Sequence, residues 1–280
     1  MNIAAAQTTG TEFLQQADIA EFRREASSLL AFVLEKDATF LIAHPEFELT
    51  AAQALAFENA IQRRAAHEPF QYITGKQEFW GLEFEVTPDV LIPRPETEIL
   101  VEAAVRTLSQ IECPRFCEVG VGSGCVAVSI AHAHPAATAV GTDVSPAALT
   151  IATRNAKRHN VDQQIDFRAA DVFDGVTDVF DLIVSNPPYV PDEEIEALQT
   201  EVRDFEPRAA LSGGRDGTDV IRRIVAEAPK FLKPGGSLLI EIGFDQAARV
   251  KGLFEKDLWP RVELLPDLQG IPRIVVARHH

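Results

Sequence analysis

The chain has 280 residues, 46% of them apolar, enough to bury one large domain and a smaller one. A formal net charge of -16 argues against a protein that tracks phosphates, because such proteins draw most of their affinity from a basic surface. No stretch approaches the roughly 18 uninterrupted apolar residues of a membrane span, and no leader pattern is visible, so a cytoplasmic location is expected. The three cysteines, Cys113, Cys117 and Cys125, share no metal-ligand spacing with histidines and read as reduced thiols.

Residues 10–67 carry helical periodicity. Ile19, Phe22, Ala26, Leu29, Leu30 and Val33 form one stripe, Pro45 interrupts it, and Thr50 is placed to cap a helix bearing Ala54, Phe57, Ile61 and Ala65. The character changes at Glu68-Pro69. Residues 78–86 alternate apolar and polar around Gly81 and predict a hairpin. Pro95 suits the first position of a helix running to about Ser109, with Glu96 and Glu98 at its positive end. From Arg115 onward, strands and helices alternate. Strands are expected at 116–119, 138–142, 165–168, 182–185 and 237–242, and helices from near Ser123, Ser145, Gly217 and Phe244. This alternation predicts an α/β fold with a mostly parallel sheet covered on both faces. Two closing strands, 262–265 and 273–276, have only a short loop between them and should pair antiparallel. Domain limits follow: a helical domain over 1–75, a hairpin linker over 76–94, and the α/β domain over 95–280.

The first strand ends in Glu118-Val119-Gly120-Val121-Gly122-Ser123-Gly124, directly before a helix. Glycines there allow a tight turn and close ligand approach. Asp143 closes the next strand, where a carboxylate can accept hydrogen bonds from ribose hydroxyls. A dinucleotide site has the spacing G-x-G-x-x-G, with a helix N-terminus facing a pyrophosphate. Here the spacing is G-x-G-x-G, and Glu118 would repel a pyrophosphate but attract an ammonium. S-Adenosylmethionine has an ammonium, a ribose and no phosphate. Asp171-Val172-Phe173, after the third strand, is the expected neighbour of the adenine.

The fourth strand runs into Asn186-Pro187-Pro188-Tyr189. The prolines fix two φ angles and remove two donors. Asn186 and the turn carbonyls can then accept both N–H bonds of a planar amino group, and Tyr189 can lie against its face. Such a nitrogen donates its lone pair into a π system and is a poor nucleophile. Holding both hydrogens orients it and favours the charge that develops on it. A methyl sulfonium already carries a good leaving group, so no metal is called for. The loop alone fits an adenine as well as an amide. The acidic balance, and the lack of a basic module for base flipping, disfavour a nucleic acid.

Asn186-Pro187-Pro188-Tyr189 on this fold resembles the amino-methyltransferases. Residues 68–75, 79–84, Ile92-Pro93-Arg94-Pro95-Glu96-Thr97-Glu98 and 205–217 are similar to the release-factor glutamine methyltransferases (the PrmC/HemK group), over nearly the whole chain. The resemblance implies a Rossmann-like class I methyltransferase domain that binds S-adenosylmethionine through Glu118, Gly120, Val121, Gly122, Ser123, Gly124, Asp143, Asp171, Val172 and Asn186. It implies as substrate the glutamine of the Gly-Gly-Gln motif of peptide chain release factors, held by Asn186, Pro187, Pro188 and Tyr189. It further implies a helical N-terminal domain that grips the release factor and an enzyme acting in translation termination; the acidic balance adds the expectation of no direct contact with nucleic acid, and a monomer is expected.

Overall fold

The computed structural model describes all 280 residues, which form two compact units. The first comprises Met1–Lys76 together with Gln199–Phe205. Its helices are Ile3–Gln16, Phe22–Leu34, Ala38–Ala43, Ala51–Ala65 and Phe70–Thr74, joined by Thr200–Phe205 from far along the chain. Thr50 caps its helix as expected: Gln53 N donates to Thr50 Oγ1 (3.2 Å), while Gln53 Oε1 accepts from Thr50 N (3.0 Å). The first helix starts earlier than the periodicity suggested. Asn2 Oδ1 caps Ala5 N at 2.9 Å, and the alanine-rich turn behind it has too little amphipathic contrast to register as a stripe. Gly10 lets this helix press against the fourth, since a Cβ there would stand 2.8 Å from Phe57 Cζ. The shared core contains Leu14, Ala26, Leu29, Leu30, Phe57 and Ile61.

Arg64 is buried in this unit at 4% exposure. Its guanidinium is ion-paired with both Glu25 and Glu201, and Nη1 donates to the Glu68 carbonyl at 3.2 Å. Burial works against the charge, but hydrogen bonds to Glu25 and then Glu201 outweigh it, and the pKa lies above the ordinary arginine value. Glu201 thereby fastens Thr200–Phe205 to the helical unit, although the sequence reading assigned that stretch to the α/β domain. Arg64→Ala leaves two acidic groups facing each other without their cation. It should cost about 3 kcal/mol, the lower end for a broken buried pair because Glu201 is a third exposed. Urea unfolding measures this, and an unchanged midpoint would remove the triad from the account of stability.

The second unit comprises Gln77–Leu198 and Glu206–His280. A hairpin, β1 (Lys76–Phe79) and β2 (Leu82–Glu85), turns at Trp80-Gly81. The main sheet contains β3 (Arg115–Val119), β4 (Thr138–Asp143), β5 (Ile165–Ala169), β6 (Phe180–Ser185), β7 (Leu232–Glu241), β8 (Arg261–Pro266) and β9 (Pro272–Arg278). Its order is β5-β4-β3-β6-β7-β9-β8, with β9 antiparallel to both neighbours and the other pairings parallel. The α/β class and the antiparallel closing pair therefore hold. Alternation along the strands supplies two cores. Phe116, Leu182 and Val184 pack beneath the helices Glu98–Leu108 and Cys125–Ala133, while Cys117, Ile183, Leu238 and Ile240 face Asp219–Glu227 and Ala247–Lys251.

Three boundaries differ from expectation. β7 begins at Leu232, five residues early, and absorbs Pro234-Gly235-Gly236 as a register shift opposite β6. Pro95 opens a 3-10 turn, Pro95–Thr97, before the helix Glu98–Leu108. The helix expected from Phe244 shrinks to Ala247–Lys251. No helix is long and apolar enough to cross a membrane.

Candidate active site

β3 and β6 are neighbours, in the register Glu118↔Val184 and Val119↔Ser185. The strand order reverses at this pair, with β4 on one side and β6 on the other, and such a reversal leaves a crevice beyond the carboxyl ends. Gly120 and Asn186 are the first residues past the paired ends. A Cβ on Gly120 would stand 4.0 Å from the Asn186 carbonyl oxygen. Ser185 Oγ donates to the Val119 carbonyl at 2.7 Å and ties the two strand ends together.

The glycine loop has φ of 77° at Gly120, 54° at Gly122 and 82° at Gly124, left-handed values that side chains disfavour. Asp143 shapes it: one carboxylate oxygen accepts from Gly122 N (2.8 Å) and the other from Ser145 N (2.9 Å). Glu118 is 2% exposed and accepts from Ala127 N at 2.8 Å. Burial pushes its pKa well above the carboxylate range; the Ala127 hydrogen bond opposes this, and the charge of Asp143 adds to it.

The crevice is lined by Glu118, Gly120, Val121, Gly122, Ser123 and Asp143, and by Asp171, Val172, Asn186 and Pro188. Gly124, Pro187 and Tyr189 do not line it. Gly124 instead lets the loop pack on Ala152, whose Cα would lie 3.1 Å from a Cβ there. Val172 has φ 57°, a strained conformation for a β-branched residue, and its carbonyl accepts from Thr142 Oγ1 at 2.8 Å. Asp171 reaches the crevice with one oxygen already given to Arg223 (2.9 Å). Phe173 turns away from the crevice and stacks on Phe231 in the core, with ring centroids 4.6 Å apart.

In the Asn186-to-Tyr189 turn not every carbonyl is free. Gln246 Nε2 donates to the Tyr189 carbonyl at 2.8 Å and to the Gly217 carbonyl at 3.2 Å. The Tyr189 side chain is partly buried against the core, and burial, helped by the charge of Glu241, pushes its hydroxyl up to about 12. Asn186 Nδ2 donates to Thr97 Oγ1 at 3.1 Å. Burial raises the pKa of Glu241 to about 7, partly offset by the Thr97 side chain, and the Glu241 Oε2 is buried without a hydrogen-bond partner. Arg94 pairs with the buried Glu206 at 2.5 Å. Sequence reasoning gave no role to Thr97, Glu241 or Gln246. Arg94, Thr97 and Glu206 lie inside the segments that carried the resemblance, which was the only signal pointing to them.

A glycine turn at the switch point, an acid closing the second strand and an amide at the end of the fourth define a methyltransferase of the doubly wound class. The solved structure of the hMettl16 catalytic domain, bound to the MAT2A 3'UTR hairpin 6, shares this fold. It superposes with a TM-score of 0.60 over 89% of this chain and 92% of that one, at 17% identity. Family models described as the PrmC N-terminal domain and the methyltransferase small domain match residues 5–75 and 96–203. The release factor glutamine methyltransferase of Koribacter versatilis is 42% identical over 99% of both chains. That of Geobacter sulfurreducens is 43% identical over 95% of this chain and 93% of its own. The chain belongs to the release factor glutamine methyltransferase family.

Proposed function

We propose that the protein transfers a methyl group from S-adenosylmethionine to the side-chain amide nitrogen of the glutamine in the Gly-Gly-Gln motif of peptide chain release factors. The observation that carries this reading is the fixed amide of Asn186 at the carboxyl end of β6, level with the glycine loop. The crevice suits the methyl donor. A buried carboxylate and a second-strand acid match an ammonium and a ribose, and the glycine spacing lacks the form used for a pyrophosphate.

In this reading Glu118 draws the ammonium, and the loop Gly120 to Gly124 follows the donor closely. Asp143 uses its remaining lone pairs on the ribose hydroxyls, and Asp171 and Val172 flank the adenine. When bound, S-adenosylmethionine supplies a methyl group on a positively charged sulfur that departs readily. Asn186 Oδ1 and the Pro187 carbonyl accept the two N–H bonds of the target amide, Pro188 keeps the turn rigid, and Tyr189 walls the amide plane. Their joint effect is orientation and stabilisation of the positive charge that grows on nitrogen. The nitrogen gains the methyl and releases one proton to solvent. Unit 1 grips the release factor, a reading supported by its exposed apolar side chains Phe13, Phe32, Ile42, Phe47 and Leu55. The protein acts as a cytoplasmic monomer.

Transfer of labelled methyl tests this directly. Label should enter a release factor and disappear when its Gly-Gly-Gln glutamine is replaced. Label in DNA instead would overturn the reading. The role of Glu118 has its own consequence. An ammonium favours the ionised form of a carboxyl whose pKa burial holds high. Donor affinity should therefore be full above that raised pKa and weaken as pH falls through it, with proton release on binding. Calorimetric titration in buffers of different ionisation enthalpy measures the released proton. Proton uptake on binding would remove Glu118 from the ammonium site.

A further inference from the structure

We infer that Asn155 is a positioning residue for the methyl donor: its buried amide ties the glycine loop to the hairpin strand whose continuation forms another wall of the crevice. The inference rests on the proposed function, in which this crevice holds S-adenosylmethionine. Asn155 lies on the helix Pro146–Arg158, lines no part of the crevice and has 0% exposure. A buried amide is costly unless its donors and its acceptor are used. Here both N–H bonds are used. Nδ2 donates to the Ser123 carbonyl at 2.9 Å and to the Glu85 carbonyl at 3.0 Å. Oδ1 accepts from Glu85 N at 2.7 Å. The partners are main-chain groups 32 and 70 positions away, and one planar amide fixes how they stand to each other.

Both partners lead into the crevice. Ser123 belongs to the glycine loop and lines the crevice itself. The next residue, Gly124, rests on Ala152, one turn earlier on the same helix as Asn155. Glu85 closes β2, and only Val86, Thr87 and Pro88 separate it from Asp89, where the chain starts to line the crevice and continues through Val90 and Leu91. That connection has little slack. Val86 is buried, and the Thr87 carbonyl accepts from Val90 N at 3.1 Å. Other side chains at the end of the helix also hold the hairpin: Arg154 pairs with Glu85 at 2.9 Å, Arg158 pairs with Glu83, and His159 Nε2 donates to the Glu83 carbonyl at 2.9 Å. Of these four side chains, Asn155 alone also reaches the glycine loop. It therefore holds two walls of the donor crevice in one arrangement without touching the donor.

Asn155→Asp keeps the size and the oxygen that accepts from Glu85 N but removes the NH2 group. An ionised carboxyl loses both carbonyl contacts and a protonated one keeps a single contact, so at least one link is broken in either form. Calorimetric titration with S-adenosylmethionine, well below the melting temperature of the variant, should show Kd raised by about 10-fold or more. At saturating donor, kcat and the KM for the release factor should stay within about threefold of wild type. A lower melting temperature with wild-type donor Kd marks a packing role and overturns the inference. So does a loss of kcat with donor Kd unchanged, which would place the effect at the Asn186 turn. Should Asn155→Asp fail to fold, amide hydrogen exchange in the wild-type protein decides. Saturating donor should slow exchange at Glu85 N by about tenfold or more, although Glu85 lies outside the crevice, because the loop it is tied to becomes ordered. Unchanged exchange at Glu85 with donor bound overturns the inference. Wild-type protein titrated in parallel keeps the two failures apart. No binding of S-adenosylmethionine by wild type defeats the functional reading, whereas equal binding by wild type and Asn155→Asp defeats the role of Asn155 alone.

Discussion

Asn186→Ala should reduce methyl transfer by roughly 1,000-fold while changing donor affinity by no more than about threefold. The asymmetry follows from where the side chain points. Its Nδ2 is committed to Thr97, and in the proposed mechanism its Oδ1 is offered to the target amide, so truncation would remove an acceptor felt most strongly as positive charge builds on nitrogen. The glycine loop and Asp143 keep their own hydrogen bonds, which do not involve the Asn186 side chain. Equilibrium binding of the donor, measured beside single-turnover transfer, separates the two quantities. A parallel loss of both would assign Asn186 to the donor site or to the fold.

Substitution of Asp143 should give the complementary pattern, a loss of donor affinity of about 100-fold or more, and Asp143→Asn should be no milder than Asp143→Ala. The carboxylate already gives one oxygen to Gly122 N and the other to Ser145 N. An amide in its place must aim its NH2 at one of those backbone donors. The asparagine therefore loses one of the two hydrogen bonds and sets its NH2 against that backbone donor, besides lacking the charge that would hold the ribose hydroxyls. Two hydrogen bonds to a charged acceptor, at about 1.5 kcal/mol or more each, account for the expected factor. Isothermal titration with S-adenosylmethionine checks this. An Asp143→Asn variant that binds as wild type would show that the carboxylate serves neither the ribose nor the loop.

The parts of the site that could be read in advance are those governed by local rules. The N-cap at Thr50 could be read because a capping side chain and the turn it caps are neighbours in sequence, whereas its reciprocal partner Gln53 emerged only in the structure. The central strands are short and almost continuously buried, and the glycine spacing after Glu118 is the local feature from which an ammonium site rather than a pyrophosphate site was expected. In Asp171-Val172-Phe173 the local rule reaches less far: Asp171 and Val172 line the crevice and Phe173 does not. The three neighbours share a turn, but Phe173 points into the core and stacks on Phe231, 58 positions along the chain by residue number. Which way a side chain leaves a turn is set by what packs there, and the strained φ of Val172 marks how firmly that turn is held.

The chain order of strands and helices, the glycine turn, the second-strand acid and the Asn186 loop were written in the amino-acid sequence, because each depends on residues a few positions apart. The tertiary fold alone decided that β3 lies between β4 and β6, which brings Gly120 beside Asn186. It alone brought Thr97 to the Asn186 amide, Gln246 to the Tyr189 carbonyl and Glu201 to Arg64. Those contacts join residues up to 137 positions apart, and no propensity or periodicity carries information over such a distance. They form only when the apolar faces of the strands and helices are buried together, and the polar groups that burial strands must then find one another.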